Sequence, residues 1–463
     1  MRAKTVVIVA VLLVASCSAP DSPQPVADGR PNIVVILTDD QGYADISLNP
    51  FHGEDVSTPN MDALAADGVF FTQAYTSSQT CSPTRTGLML GRYQHRVGVY
   101  TKTDSGRGFD PTTPFFPSFL PDTYTAAAIG KWHLGLDLDY PELKWHPMNR
   151  GFDENYVFMG RGGRDYMDLR AGDEADNLDP LYRNRERIDD EGYLTDRITE
   201  EAVAFIDRNK SRPFFLYLAY TALHSPAQAP QASIDLVRAQ FPDISDQRAI
   251  LMAMLRHLDD GVGAVVEKLK QEALFDNTVV FFLTDNGGPQ SMASENTPLS
   301  GFKGSLREGG IRTPFIVSWP DRFPGGRSVD VPVISLDILP TALDALGILP
   351  ASNDFDGRSM LPLLTGESTR HHDILYWSDG SETGEWAVRR GDWKLRGVRG
   401  RRRLINLAAD PAEETNVGRE HPEIAKSLGE AYDAWLDQMP EPNASGTKRW
   451  EDDAVRQGSN GSE

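Results

Sequence analysis

Two nearly continuous apolar runs, Asn32-Ile33-Val34-Val35-Ile36-Leu37 and Val279-Val280-Phe281-Phe282-Leu283, constrain this chain more than any other feature. Each has strand length and lacks polar alternation. Both faces must therefore be covered, as in the interior of a parallel sheet flanked by helices. Each run then breaks into polar residues, Thr38-Asp39-Asp40 after the first and Thr284-Asp285-Asn286-Gly287 after the second. In open α/β sheets, ligand groups gather beyond the carboxyl ends of the strands. Asp39, Asp40, Asp285 and Asn286 offer three carboxylates and an amide there. An all-oxygen donor set suits a hard cation such as calcium better than zinc.

Three further runs read as strands of the same sheet. Thr123 to Ile129 leads into Gly130-Lys131-Trp132-His133, and Pro213 to Tyr220 delivers Thr221-Ala222-Leu223-His224. Pro314 to Trp319 follows the glycine-dense stretch Gly301 to Arg312, which contains Lys303 and reads as a loop that opens no helix. Leu251, Met254, Leu255, Leu258, Val262, Val265 and Leu269 recur at helical spacing behind the capping pair Ser245-Asp246, and Ile198, Ala202, Phe205 and Ile206 mark another helix. Strands alternating with helices predict an α/β fold, a doubly wound and mainly parallel sheet. After about Leu349 the pattern changes to short antiparallel strands at Trp386–Arg390, Trp393–Leu395 and Arg403–Leu407, with a helix from about Pro422 to Leu436. A smaller C-terminal α+β subdomain is expected there.

The chain has two cysteines, and each has its own setting. Cys17 ends a leader in which Arg2 and Lys4 precede the apolar run Val6–Val14 and the small residues of Val14-Ala15-Ser16-Cys17. This resembles a bacterial lipoprotein signal and predicts export to the periplasm or outer membrane, with a lipid anchor at Cys17. Cys81 is then left without a disulfide partner in an oxidising compartment. Ser82 reads as an N-cap and Pro83 as the first helical residue, which places Cys81 at the positive end of a helix with Arg85 in its first turn. That arrangement suits a nucleophile facing an anion.

The run Cys81-Ser82-Pro83-Thr84-Arg85, with Leu88 and Gly91-Arg92 at matching spacing, resembles the signature of the formylglycine-dependent sulfatases, whose fold is similar to that of alkaline phosphatase. Thr84 stands where Ser or Ala is usual, and Leu90 where Thr is usual. The resemblance implies that a formylglycine-generating enzyme oxidises Cys81 to an aldehyde, whose hydrate attacks the sulfur of a sulfate ester. It implies calcium on Asp39, Asp40, Asp285 and Asn286, and catalytic roles for Cys81, Arg85, Lys131, His133, His224 and Lys303. Among these, His224 with Lys303 protonates the departing alcohol, and His133 assists loss of the proton that expels sulfate. The family's additional polar sulfate contact has no match. Gly160-Arg161-Gly162-Gly163-Arg164-Asp165 lies about where it belongs, and its arginines are candidates for that work.

The expected organisation is a signal peptide over residues 1–17, a tether over 18–30, a catalytic domain over 31–349, a C-terminal subdomain over 350–440 and a disordered tail over 441–463. The formal charge of −21 argues against nucleic acid as a partner. It also requires that positive charge for an anionic substrate be concentrated locally. Arg396, Arg399, Arg401, Arg402 and Arg403 cluster around a glycine turn, either as a solvated hairpin tip or as a subsite for a polyanionic chain. The address of the protein points to a sulfated carbohydrate substrate. Two alternatives stand beside this reading: a phosphodiesterase or phosphonate monoester hydrolase using the same aldehyde, and a surface lipoprotein that binds sulfated polysaccharide without turnover.

Overall fold

A computed structural model describes residues 29–101, 108–135, 144–160, 164–170, 179–352, 354–380 and 384–443. The leader with Cys17, all but the last two residues of the tether, residues 161–163 and the tail beyond residue 443 lie outside the described residues.

The strands preceding the C-terminal region are β1 (Asn32–Thr38), β2 (Gly68–Phe71), β3 (Ala74–Tyr75), β4 (Thr125–Lys131), β5 (Glu154–Phe158), β6 (Leu181–Arg183), β7 (Glu186–Arg187), β8 (Phe214–Ala219), β9 (Thr278–Thr284), β10 (Phe315–Ser318), β11 (Arg327–Val329) and β12 (Val333–Ile334). Ten of them form one sheet in the order β11-β2-β10-β9-β1-β8-β4-β5-β6-β7. The centre of that sheet, β9-β1-β8-β4-β5, is parallel throughout. β10 joins it antiparallel to β9 and β2, and β6 antiparallel to β5.

Every residue of β1, β8 and β9 is buried, as unbroken apolar runs demand. Within β1, Val34 and Ile36 pack into one core with the helices Leu194–Asn209 and Asp246–Gln271. Ile33, Val35 and Leu37 pack into a second core with the helices Cys81–Leu90 and Ile338–Ala345. Ser245 caps the long helix as expected, its side chain accepting from the Arg248 backbone N–H at 3.3 Å.

The C-terminal sheet has four strands, β13 (Leu375–Ser378), β14 (Glu385–Arg390), β15 (Trp393–Val398) and β16 (Arg401–Asn406), in sequential antiparallel order. The first of these lies outside the expected set. The helix Pro422–Leu436 covers one face, where Trp386 stacks on Tyr432 with ring centroids 4.3 Å apart. The opposite face meets the large sheet's side of the molecule through Lys394 Nζ, 2.8 Å from Glu308 Oε1.

Candidate active site

Four adjacent parallel strands deliver the predicted residues to one spot. β1 and β9 run in register, Thr38 opposite Thr284, so Asp39-Asp40 and Asp285-Asn286 emerge side by side. The Asp40 backbone N–H donates to Asp285 Oδ1 at 3.4 Å, and Asn286 Nδ2 donates to Asp40 Oδ1 at 2.7 Å. On the other side of β1, β8 leads to His224, whose Nε2 lies 3.8 Å from Asp40 Oδ2. Next in the sheet is β4. Lys131 is its last residue rather than part of the loop beyond it, because the parallel pairing with β5 continues through that position. Its ammonium forms a buried ion pair with Asp39 Oδ2.

Asp40 and His133 adopt left-handed backbone conformations, with φ of 63° and 54°. Such a conformation is costly for residues other than glycine and persists only where neighbours enforce it. For His133 the enforcement is visible. Its N–H donates to the Met159 carbonyl at 2.8 Å, and its own carbonyl accepts from Ser82 Oγ at 2.6 Å.

That second bond corrects the expected helix start. Cys81 itself is the first helical residue and Thr80 the extended cap, its carbonyl accepting from the Thr84 N–H at 3.4 Å. Ser82 does not cap because its hydroxyl is committed to His133. Cys81 is therefore in the first turn, with Sγ 3.5 Å from Asp39 Oδ1. One turn later Arg85 is fully buried, with Nε 2.8 Å from Asp285 Oδ2, Nη1 3.0 Å from the Lys131 carbonyl and Nη2 3.5 Å from Asp39 Oδ2.

The stretch Gly301–Arg312 closes the site. Its last residues form one helical turn, Glu308–Ile311, contrary to the expectation of a helix-free loop. The turn is held by Glu308, whose N–H donates to Glu413 Oε2 at 2.6 Å and whose carboxylate meets Lys394. Lys303 reaches Asp40, with Nζ 2.7 Å from Oδ1 and 2.9 Å from Oδ2. Glu385 and Lys394 anchor this segment from the C-terminal sheet, since Glu385 Oε2 accepts from the Leu306 N–H at 2.8 Å. The sequence carries no signal for these contacts, which span 79 and 86 residues. Asp179 is a further unanticipated support, accepting from the N–H groups of Met159 and Gly160 beside His133. Gly160 must be glycine: its φ is 88°, and a Cβ would come within 2.8 Å of the His133 Cβ. Arg164 is buried, its Nη2 donating to the Arg170 carbonyl at 2.7 Å.

The electrostatics of the cluster follow from burial and crowding. Burial, reinforced by the carboxylates of Asp285 and Asp39, pushes the Cys81 thiol far above its ordinary value. Burial would raise Asp39 too, but Lys131 and the other nearby cations outweigh it and hold that carboxyl below the usual range. Asp285 moves the other way, through burial and the neighbouring charge of Asp39. His133 is held neutral well below its usual range by burial and by the cations of Lys131 and Arg85.

The residues could hold a cation. Donor atoms of Asp39, Asp40, Cys81 and His224 lie within 4.8 Å of one another. Asn286 Oδ1, adjacent to them through Asp40, is buried and has no hydrogen-bond partner among the described residues. Lys303 and His224, with side chains 21% and 13% exposed, reach solvent at this site, whereas those of Asp39, Arg85 and Lys131 are fully buried. The fold and site together define an α/β protein with a buried cluster of carboxylates and cations around one cysteine at the carboxyl ends of its central parallel strands.

Comparison with known proteins gives the family. The family model described as Sulfatase matches residues 31–348, and that described as N-sulphoglucosamine sulphohydrolase, C-terminal, matches residues 303–434. An uncharacterized sulfatase of Escherichia coli K12, YdeN, is 33% identical over 400 residues, covering 75% of this chain and 69% of the relative. Human N-acetylgalactosamine-6-sulfatase is 31% identical over 389 residues, covering 78% and 69%. The crystal structure of Ps i-CgsB in complex with k-i-k-neocarrahexaose superposes with a TM-score of 0.82 at 33% identity, covering 89% of this chain and 94% of that one. The chain belongs to the sulfatase family, a family of sulfuric ester hydrolases. A phosphonate monoester hydrolase of Agrobacterium radiobacter, at 21% identity and a TM-score of 0.64, shares the fold.

Proposed function

We propose that this sulfatase removes sulfate from sulfated carbohydrate, using a formylglycine made from Cys81 and a calcium ion. The observation that carries the reading is the state of Cys81. A thiol whose surroundings hold it protonated is a poor nucleophile. Yet the charges of Arg85, Lys131 and Lys303 act on it. Oxidation to an aldehyde would resolve the conflict, since its hydrate supplies two hydroxyls, one to bond to sulfur and one whose deprotonation drives sulfate out. Asp39, Asp40, Asp285 and Asn286 would hold calcium, which supplies positive charge opposite the sulfate oxygens.

The chain's own groups do the remainder. Lys131 and Arg85 are locked by buried carboxylates and present fixed positive charge to the sulfate. Lys303 and His224 border solvent, where the alcohol must depart, and His224 delivers the proton to its oxygen. His133 is kept neutral and its ring Nδ1 has no hydrogen-bond partner among the described residues, so it is suited to accept a proton in the second half of the reaction. The carbohydrate assignment is supported by Ps i-CgsB, whose structure holds a carrageenan hexaose. Export and anchorage at Cys17 would bring the enzyme to such substrates. Retention of the wild-type protein in the membrane fraction, and its release on Cys17→Ala, tests that address.

Two measurements test the reaction. Mass spectrometry of the Cys81 peptide, from protein made with a formylglycine-generating enzyme, should show the aldehyde. The same protein should release free sulfate from sulfated oligosaccharides in preference to phosphate from phosphate or phosphonate esters. An intact thiol in turnover-competent protein would overturn the mechanism, and preferential phosphate release would assign the protein to the phosphonate-hydrolysing branch of the fold.

A further inference from the structure

The five clustered arginines of the β15–β16 hairpin are not equivalent. Arg396 donates to Glu385 Oε1 at 2.7 Å, and Arg403 donates to the Glu414 carbonyl at 2.8 Å. Arg402 lies over the Trp386 ring, its Cζ 5.3 Å from the centroid, on the face covered by the C-terminal helix. Arg399 and Arg401 are exposed, and neither has an acidic partner among the described residues.

Strand register sets Arg401 in one row with Glu385, which braces the segment that carries Lys303. Glu385 pairs with Val398 and Val398 with Arg401, so the three form one row on the face opposite Trp386 and Arg402. Neighbouring strands are about 4.8 Å apart, which puts Arg401 roughly 10 Å from Glu385. Glu385 is the residue that holds the Leu306 N–H, three positions along the chain from Lys303 at the mouth of the site. Arg399 occupies the turn at the same end of the sheet, with φ of 48° followed by 73° at Gly400. A two-residue turn of this hand favours Asn or Asp before Gly. Arginine there has no conformational advantage.

A chain of net charge −21 repels a polyanion unless cations are concentrated where it binds. Unpaired guanidinium groups recognise tetrahedral oxyanions through paired N–H donors. We infer that Arg399 and Arg401 form an outer subsite for a sulfate group on a sugar that is not being cleaved, in a substrate with at least two sulfates. This rests on the carbohydrate reading above. It adds that the C-terminal sheet selects polysulfated chains.

The test is binding without turnover. In the Cys81→Ala background, calorimetric titration with a sulfated carrageenan hexaose should give a Kd about tenfold weaker when Arg399 and Arg401 are both changed to Ala. The loss should shrink as salt is raised. Arg402→Ala, which removes one charge from the other face, should leave Kd within about twofold, as for a rim charge that makes no contact. An unchanged Kd in the double variant, an equal loss from Arg402→Ala, or no binding of the hexaose at all would overturn the subsite. Failure of the wild-type enzyme to release sulfate from any oligosaccharide, with the binding difference intact, would instead overturn the assigned reaction.

Discussion

Two clusters in this molecule set histidine nitrogens against aspartate oxygens. In one, the buried Asp337 accepts from the N–H groups of Ile334 and Arg358 at 2.9 and 2.8 Å, and His371 Nε2 and His372 Nε2 lie 3.0 and 2.7 Å from its oxygens. Each carboxylate oxygen has one backbone and one imidazole partner, and its capacity is filled. In the other cluster, three carboxylates crowd around Cys81, two residues are held in left-handed conformations, and His133 Nδ1 and Asn286 Oδ1 are buried without hydrogen-bond partners among the described residues. Most buried polar groups in a folded protein are hydrogen-bonded, so unfilled valences beside left-handed residues are what a bound ion or substrate would answer. The residue types alone do not distinguish the two clusters.

The comparison breaks if both clusters respond alike to substitution. Cys81→Ala should abolish sulfate release, by at least ~10⁴-fold in kcat, with an unchanged denaturation midpoint, as expected for loss of a nucleophile. His371→Ala should do the reverse, lowering the midpoint while retaining most turnover. Chelation sharpens the contrast further. Under the proposed mechanism, chelation should cost at least ~100-fold in activity, recovered on adding calcium, because positive charge opposite the sulfate oxygens would be lost. His371→Ala should bind the same stoichiometry of calcium as the wild type.

Asp337 gives an effect of the next size. Burial alone would raise its carboxyl, but the two histidines and the hydrogen bonds outweigh that and hold it below the usual carboxylate range. A depressed folded value means that its stabilisation is fully present above the unfolded value, about pH 4, and is lost as pH falls through the lower folded value. Asp337→Asn should therefore cost about 3 kcal/mol near neutrality, in line with breaking a buried ionic contact. The gap to wild type should narrow below pH 4. A gap that is constant from pH 7 to pH 3 would show that the charge at Asp337 is not what holds this junction.

That the residues of the Cys81 cluster would come together was legible in the sequence because most of them sit at the ends of the strands that are easiest to read. β1, β8 and β9 are buried on both faces, so their residues are apolar without interruption and the polar break after each is sharp. Since those strands are neighbours and parallel, their ends had to meet. The supporting residues were not legible for an equally physical reason. Glu385, Lys394 and Asp179 look like ordinary surface charges until the chain folds back on itself, and β13 is too short to announce itself. The alternation along β16 that separates Arg401 from Arg402 becomes informative only once the C-terminal helix shows which face is covered.

Ser82 is the instructive failure, and it yields the finest of the tests. Its position before Pro83 is a sound local signal for a helix cap. A tertiary acceptor competes for the same hydroxyl, and the His133 carbonyl wins at 2.6 Å. The consequence runs from sequence to chemistry. The bond ties the first turn of the Cys81 helix to His133, so the proposed nucleophile and the proposed proton acceptor would be positioned by one contact. Ser82→Ala removes the bond without disturbing the backbone bond that starts the helix from Thr80. It should cost about 1 kcal/mol, roughly fivefold in kcat, with KM little changed. Ser82→Thr, which restores the hydroxyl, should recover most of the loss. A cap would behave differently: Ser82→Ala would then lower the denaturation midpoint and leave kcat alone. The ratio of the two effects measures how far Ser82 serves the site rather than the helix.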